Sequence, residues 1–376
     1  MPVHALDSHY LALTILITTG YQLTGFFIAY TLQFDKITDF TGGSNFFILA
    51  LVTLLCGGTF HARNVVASIL VMVWAVRIAG FLLLRVLKTG HDGRFDDIRK
   101  SFLKFLAFWI GQTPCFPSYV ADDGEPFVRP DSMGALFASF VPRWQLIRVK
   151  VWVVSLPVVI LNSPAVSDVE HGGSNPPFGT SRDIAGIVLW SLGFFIEATA
   201  DMQKFLYKFS KTTSKDKAIN TGLWAWSRNP PYFGEMMCWW GIWILCLSPS
   251  TNGTLSSSSR SAQYAAIMSP IFTVIILMFG SGLPTSTKPQ AKRFYLKSYG
   301  PEAHADDAFI WEQYKAHLRR TSILIPLPPA IYKHVPSVLK KTLLLDFPMY
   351  QFNEQKDGPP AIEEAKKTAD WREQQP

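Results

Sequence analysis

The sequence predicts an all-α fold, a polytopic transmembrane helix bundle, and three observations carry that prediction. Of 376 residues, 48% are hydrophobic and only 17% are charged, whereas soluble domains hold about a quarter charged residues. The mean hydropathy is positive, at +0.16. The apolar residues gather into runs near the roughly 20 residues that cross a bilayer. The chain also has 12 Trp and 28 Phe, rings suited to the membrane–water interface. Four Cys are too few to staple a chain of this length, and no Cys/His spacing offers a zinc site. Disorder, collagen and a disulfide scaffold are excluded.

The runs fall at about Tyr10–Leu32, Asn45–Phe60, Val65–Leu87, Trp144–Leu161, Ile184–Thr199, Tyr232–Leu247 and Gln263–Leu283. They predict about seven spans, or six if one of the shorter runs does not cross. The first run follows no basic region and is long enough to span, unlike a cleaved signal peptide. Residues 1–34 are therefore read as the first span with its flanks, 35–329 as the main transmembrane domain, and 330–376 as a cytoplasmic tail. Residues 112–142, with Cys115, Asp122, Asp123 and Pro130, read as a polar insertion.

Lys and Arg set the orientation. With seven spans, 28 of them lie in the connections after the odd-numbered spans and only Arg63, Arg182 and Arg260 after the even-numbered ones. Without the long C-terminal segment the ratio is still 14 to 3. Positive residues favour the cytoplasmic side, so the N-terminus is expected outside and the C-terminus in the cytoplasm. Asn252-Gly253-Thr254, a glycosylation acceptor, falls on the lumenal side of that scheme. The net charge of +7 follows from the same bias. It forms no basic stripe with interleaved aromatics, so no nucleic-acid partner is expected.

Charges at membrane depth are costly and mark candidate sites. Arg77 lies mid-run and is expected to face a polar cavity or a carboxylate. Arg85, Arg148 and Lys150 are expected at the interface. Gly193, Glu197, Asp201, Lys204 and Lys208 recur at helical spacing and form one polar stripe.

The most informative stretch runs from Asn220 to Trp243. A turn leads into Pro230-Pro231, a pair suited to a first helical turn. Arg228, Asn229, Tyr232 and Glu235 then cluster at a helix N-terminus, which favours an anion, and the Arg228 fork can grip phosphate. An interfacial anchor with a Trp belt explains the same residues.

Gly222, Leu223, Arg228, Pro230, Tyr232, Gly234 and Glu235 together resemble the signature of the steroid 5α-reductase-like superfamily. Trp74-Ala75-x-Arg77, Gly90-x-Asp92-x-Arg94-Phe95, Glu197-x-x-x-Asp201 and Tyr314…Thr321-Ser322-Ile323-Leu324-Ile325-Pro326 resemble a branch of uncharacterised membrane proteins related to those reductases. The similarity runs from about Asp35 to Pro329. It implies an NADPH-dependent reductase of a C=C bond in a sterol-like, terpenoid or other enone lipid, in the endoplasmic reticulum membrane. It implies cofactor contacts at Asp201, Lys204, Arg228, Asn229, Tyr232, Glu235, Lys292, Arg293 and Tyr295. The partners implied are a lipid-soluble substrate and membrane lipids, with no metal.

Within that reading Tyr232 and a protonated Glu197 are the candidate proton donors. Two positions differ from the superfamily pattern: Asn229 stands where many relatives have His, and Pro231 where they have Asn. The Arg-x-Pro-x-Tyr-x-Gly turn also resembles isoprenylcysteine carboxyl methyltransferases, which use S-adenosylmethionine. Those enzymes usually carry a Glu-Glu pair after the final long span, where this chain has Lys288-Pro289-Gln290-Ala291-Lys292-Arg293. A non-catalytic lipid-binding relative is the third alternative.

Overall fold

The computed structural model describes residues 6–31, 37–89, 146–210, 217–304 and 307–373. The predicted insertion at 112–142 and the Gly90 to Phe95 motif lie outside the described residues, as do the side chains of Arg148 and Lys150. The described chain is helical, with α1 (Leu11–Thr31), α2 (Ile37–Gly57), α3 (Ala62–Thr89), α4 (Leu146–Asn162), α5 (Ser181–Phe209), α6 (Pro230–Cys246), α7 (Met268–Ile275), α8 (Leu283–Tyr299), α9 (Ala308–Arg320), α10 (Ser337–Thr342) and α11 (Glu354–Glu373) as its principal elements.

Among the described residues, five helical stretches are long and apolar enough to cross a bilayer: Leu11–Thr31, Phe40–Gly57, Ala62–Arg85, Ser181–Phe209 and Ser257–Tyr299. The helices α4 and α6, at 17 residues each, stand at the short end of the spanning range. All seven predicted runs fall on helical elements.

The side-chain distribution also belongs to a membrane. Along α1 the buried positions include Thr14, Thr18 and Gln22, while Leu16 and Phe27 are 60% and 55% exposed. Leu55, Val76 and Leu192 are likewise exposed on α2, α3 and α5. A water-soluble helix would invert this order. The protein is a multi-pass integral membrane protein.

The fold divides into two compact units, Met1–Phe194 with Met236–Ile276, and Phe195–Glu235 with Leu277–Pro376. In the first, lipid offers helices no hydrophobic drive to associate, so close packing and hydrogen bonds hold them. An aromatic knot joins Phe46, Trp74 and Trp239, with ring centroids 5.0–5.4 Å apart. A buried amide node centres on Asn162. Its Nδ2 donates to Thr53 Oγ1 at 3.2 Å and Ser68 Oγ at 3.0 Å, and its Oδ1 accepts from Asn64 Nδ2 at 3.2 Å.

The helices α5 and α6 cross at Gly186 and Gly241. A Cβ on Gly186 would stand 2.7 Å from Gly241 O, and one on Gly241 2.7 Å from Gly186 O. Beside that crossing, Arg63 forms a buried clasp with Asp183: Nε to Oδ1 at 2.8 Å and Nη2 to Oδ2 at 2.9 Å. Asn175 Oδ1 and the carbonyls of Pro176 and Pro177 take the remaining guanidinium donors. Arg77, expected beside a cavity or carboxylate, has its guanidinium 5.8 Å over the Phe194 ring.

Candidate functional site

The second unit gathers the motif residues through one local backbone device. Gly222 takes φ 59°, the left-handed region, and a Cβ there would run into the Gln203 side chain, so only glycine suits this turn. Gln203 Oε1 in turn accepts from Leu223 N at 3.1 Å. The turn seats Trp224, whose Nε1 donates to Ala200 O at 2.9 Å and whose ring lies 4.9 Å from Lys204 Nζ.

Residues 226–229 are then zipped to residues 322–327. Arg228 N donates to Ser322 O at 2.7 Å, Leu327 N to Trp226 O at 3.1 Å, and Ser227 Oγ to Leu324 O at 2.7 Å. Asn229 Nδ2 donates to Ile323 O at 3.0 Å, and its Oδ1 accepts from Ser286 Oγ at 3.0 Å. Both ends of the amide are thus engaged within the protein. The zip holds the two sequence motifs, Arg228-Asn229-Pro230 and Thr321 to Pro326, side by side. The helix α6 begins at Pro230 as predicted. Pro230 and Pro231 carry no N–H, so the anion-binding capacity expected of this terminus rests on later residues.

A cavity of about 310 Å³ opens against the zip. Arg228, Lys315, Arg319 and Lys340 line it, with Asp346 as the single carboxylate and Trp224, Tyr314, Tyr332, Tyr350 and Phe352 as aromatic walls. Arg228 Nη2 donates to Asp346 Oδ2 at 2.5 Å, and Tyr332 OH donates to the same oxygen at 2.8 Å. Burial and the Asp346 carboxylate push the Tyr332 hydroxyl upward, so it stays a donor. Burial also raises Tyr314 to about 12. His317, on the same wall, is lowered to about 4 by burial and by repulsion from Arg228 and Arg320. It presents a neutral imidazole at physiological pH, with Nδ1 3.3 Å from Thr321 Oγ1. Such a chamber can hold an anionic, ring-bearing ligand. Among the described residues no cluster of three or more His, Cys, Asp or Glu could hold a metal ion.

Of the residues singled out by sequence, Arg228 and Asn229 line the cavity. Tyr232 and Glu235 lie half-buried in the first turns of α6. Glu197 is buried on α5, with Asp201 and the exposed Lys204 one and two turns on. On α8, the cavity wall is made by Thr287, Gln290 and Ala291. Lys292 instead pairs with Glu364 at 2.5 Å, Arg293 is exposed over the Phe294 ring, and Tyr295 packs against Trp311 and Phe352.

Sequence reading missed Asp346, Tyr332, His317 and Lys340, all in or beyond the late motif. One signal was available. Asp346 is the only acidic residue between Glu312 and Glu354, and an isolated acid in a basic, apolar stretch calls for a cationic partner.

No curated protein and no solved structure matches the chain. The sequence matches the family described as "Protein of unknown function (DUF1295)" over residues 25–116 and 130–300. That match covers most of the chain, and the protein belongs to this family.

Proposed function

We propose that this protein is a membrane-embedded, NADPH-dependent reductase of a carbon–carbon double bond in a sterol-like, terpenoid or other enone lipid, of the steroid 5α-reductase-like kind. The observation that carries the reading is the zip of residues 226–229 against 322–327, which places Arg228 in a cavity also lined by Arg319, Lys340 and Lys315, with Asp346 as the lining carboxylate and Lys315 already paired with Glu312 and Glu354. That balance suits a phosphate-bearing cofactor, and the aromatic walls suit its rings. The volume of about 310 Å³ lies at the small end of ligand pockets, room for one half of a dinucleotide.

Arg228, Lys315, Arg319 and Lys340 would hold the phosphate-bearing half, with Asp346 fixing the Arg228 fork. When bound, NADPH supplies the hydride for the β-carbon of an enone. Tyr232 and Glu197 remain the candidate donors for the proton that completes the reduction. The lipid substrate arrives from the bilayer.

The test is a titration of the purified full chain in detergent with NADPH and, separately, S-adenosylmethionine. Saturable NADPH binding is expected. Arg228→Lys, which keeps a cation beside Asp346, should weaken it roughly tenfold to a hundredfold, the worth of a hydrogen bond to a charged group. Binding of S-adenosylmethionine instead would replace the reductase with a methyltransferase. Binding of neither would leave a lipid-binding relative.

The same reading puts the protein in the endoplasmic reticulum with its C-terminus in the cytoplasm. Asn252 and Thr254 are both exposed at the end of a short helix, Ser248–Asn252. Expression with microsomes should yield a glycosidase-sensitive mobility shift that Asn252→Gln abolishes. Labelling of an Asn252→Cys chain by an impermeant thiol reagent from the cytoplasmic side would overturn the orientation.

A further inference from the structure

Residues 313–345 hold six Lys or Arg and no Asp or Glu. Within that stretch Ile331, Val338, Leu339 and Leu343 keep 56%, 67%, 42% and 68% of their surface exposed. Lys333 and Lys341 stand exposed among them, and Lys340 lies 4.3 Å over the Tyr332 ring. None of these three lysines makes an ion pair among the described residues. The nearest acid in sequence, Asp346, is turned inward onto Arg228 and Tyr332. Leu345, at φ 58°, makes the left-handed turn between exposed Leu343 and buried Asp346, a conformation costly for a branched residue. The outcome is a surface both cationic and aliphatic, carried largely by α10.

We propose that this surface docks on the anionic headgroup layer of a phospholipid bilayer. Val338, Leu339 and Leu343 enter the acyl boundary, and Lys333, Lys340 and Lys341 meet lipid phosphates. The chemistry favours lipid over a protein partner. Protein hot spots are rich in Trp, Tyr and Arg seated in pockets, whereas this surface offers aliphatic tips and flexible lysine point charges, the composition of an interfacial anchor. The spans already tether the chain to a membrane, so the docking step is intramolecular and needs little intrinsic affinity. Lys340 belongs to the cavity wall as well as to this surface, so lipid phosphate and a cavity-bound anion compete for it. The inference does not depend on which ligand the cavity takes.

The test uses the full chain reconstituted in phosphatidylcholine vesicles with and without phosphatidylserine. A bimane label on Leu343→Cys is read against the labelled unsubstituted chain. With phosphatidylserine present, quenching by brominated acyl chains is expected, with protection from aqueous iodide. Changing Lys340 and Lys341 to Gln should lower the docking constant about fivefold per lysine, and added salt should lower it further. Iodide quenching that persists in both lipid mixtures would overturn the proposal. So would protection that is equal without phosphatidylserine and indifferent to the lysine changes, which marks burial against protein or a second copy.

Discussion

Replacing Asp183 with Ala is expected to destabilise the protein by about 3–5 kcal/mol, the cost of stranding a buried charge. The Arg63 and Asp183 side chains are 0% and 1% exposed, so no solvent can replace the lost carboxylate. Asp183 also accepts from Gly179 N and Thr180 N, each at 2.9 Å, and from Ser248 Oγ at 2.7 Å. One substitution therefore strips the guanidinium of its counter-charge and takes an acceptor from two backbone amides and the Ser248 hydroxyl together. The measurement is thermal unfolding in detergent with a thiol-reactive dye, because Cys238 and Cys246 are buried and react once the fold opens. The double change Arg63→Met with Asp183→Leu should recover much of the loss, since an apolar pair leaves no charge unmatched. An Asp183→Ala protein that melts with the unsubstituted chain would show that the clasp holds nothing together.

The second large effect is expected at the α5–α6 crossing. Gly241→Leu places a side chain where the nearest atoms are backbone, with Gly186 O and Trp190 N both 2.7 Å from the added Cβ. Rigid helices cannot yield as a flexible side chain would, so the helices must separate. The cost is about 3 kcal/mol or more, at the top of the overpacking range. Gly20→Ala on α1 is the matched control, since nothing lies within 4 Å of its added Cβ. Better helix propensity should leave that variant unharmed or slightly stabilised. Equal melting of Gly241→Leu and Gly20→Ala would mean that the close approach of the two glycines is not a constraint.

The site was legible in pieces. The Arg228-Asn229-Pro230 turn stood out by its residues and the Thr321 to Pro326 segment by its resemblance to a family pattern, and the start of α6 followed from Pro230-Pro231. That the two segments join through backbone hydrogen bonds was not legible, because residues nearly a hundred apart pair by register and not by pattern. The basic-aromatic run Lys292, Arg293 and Tyr295 shows the converse. Its composition suits an anion site, yet its side chains meet Glu364, Phe294 and Phe352. The cavity takes Thr287, Gln290 and Ala291 from α8; Arg293 and Tyr295 stand one turn further along that same face, where Tyr295 meets Trp311 and Phe352.

The sequence by itself determined the all-α membrane fold. Hydropathy and span length act locally, and every stretch of apolar residues near 20 long meets the same bilayer constraint wherever its partners are. The tertiary structure alone decided which of the few charges answer one another. Arg63 and Asp183 are 120 residues apart, and Arg228 and Asp346 are 118 apart. Arg63 read as one more topological charge in a short connection, and Asp346 as part of a featureless tail. Burial makes each charge require a partner, but only the packed chain selects which one, because the choice depends on helices crossing in space and not on spacing along the sequence.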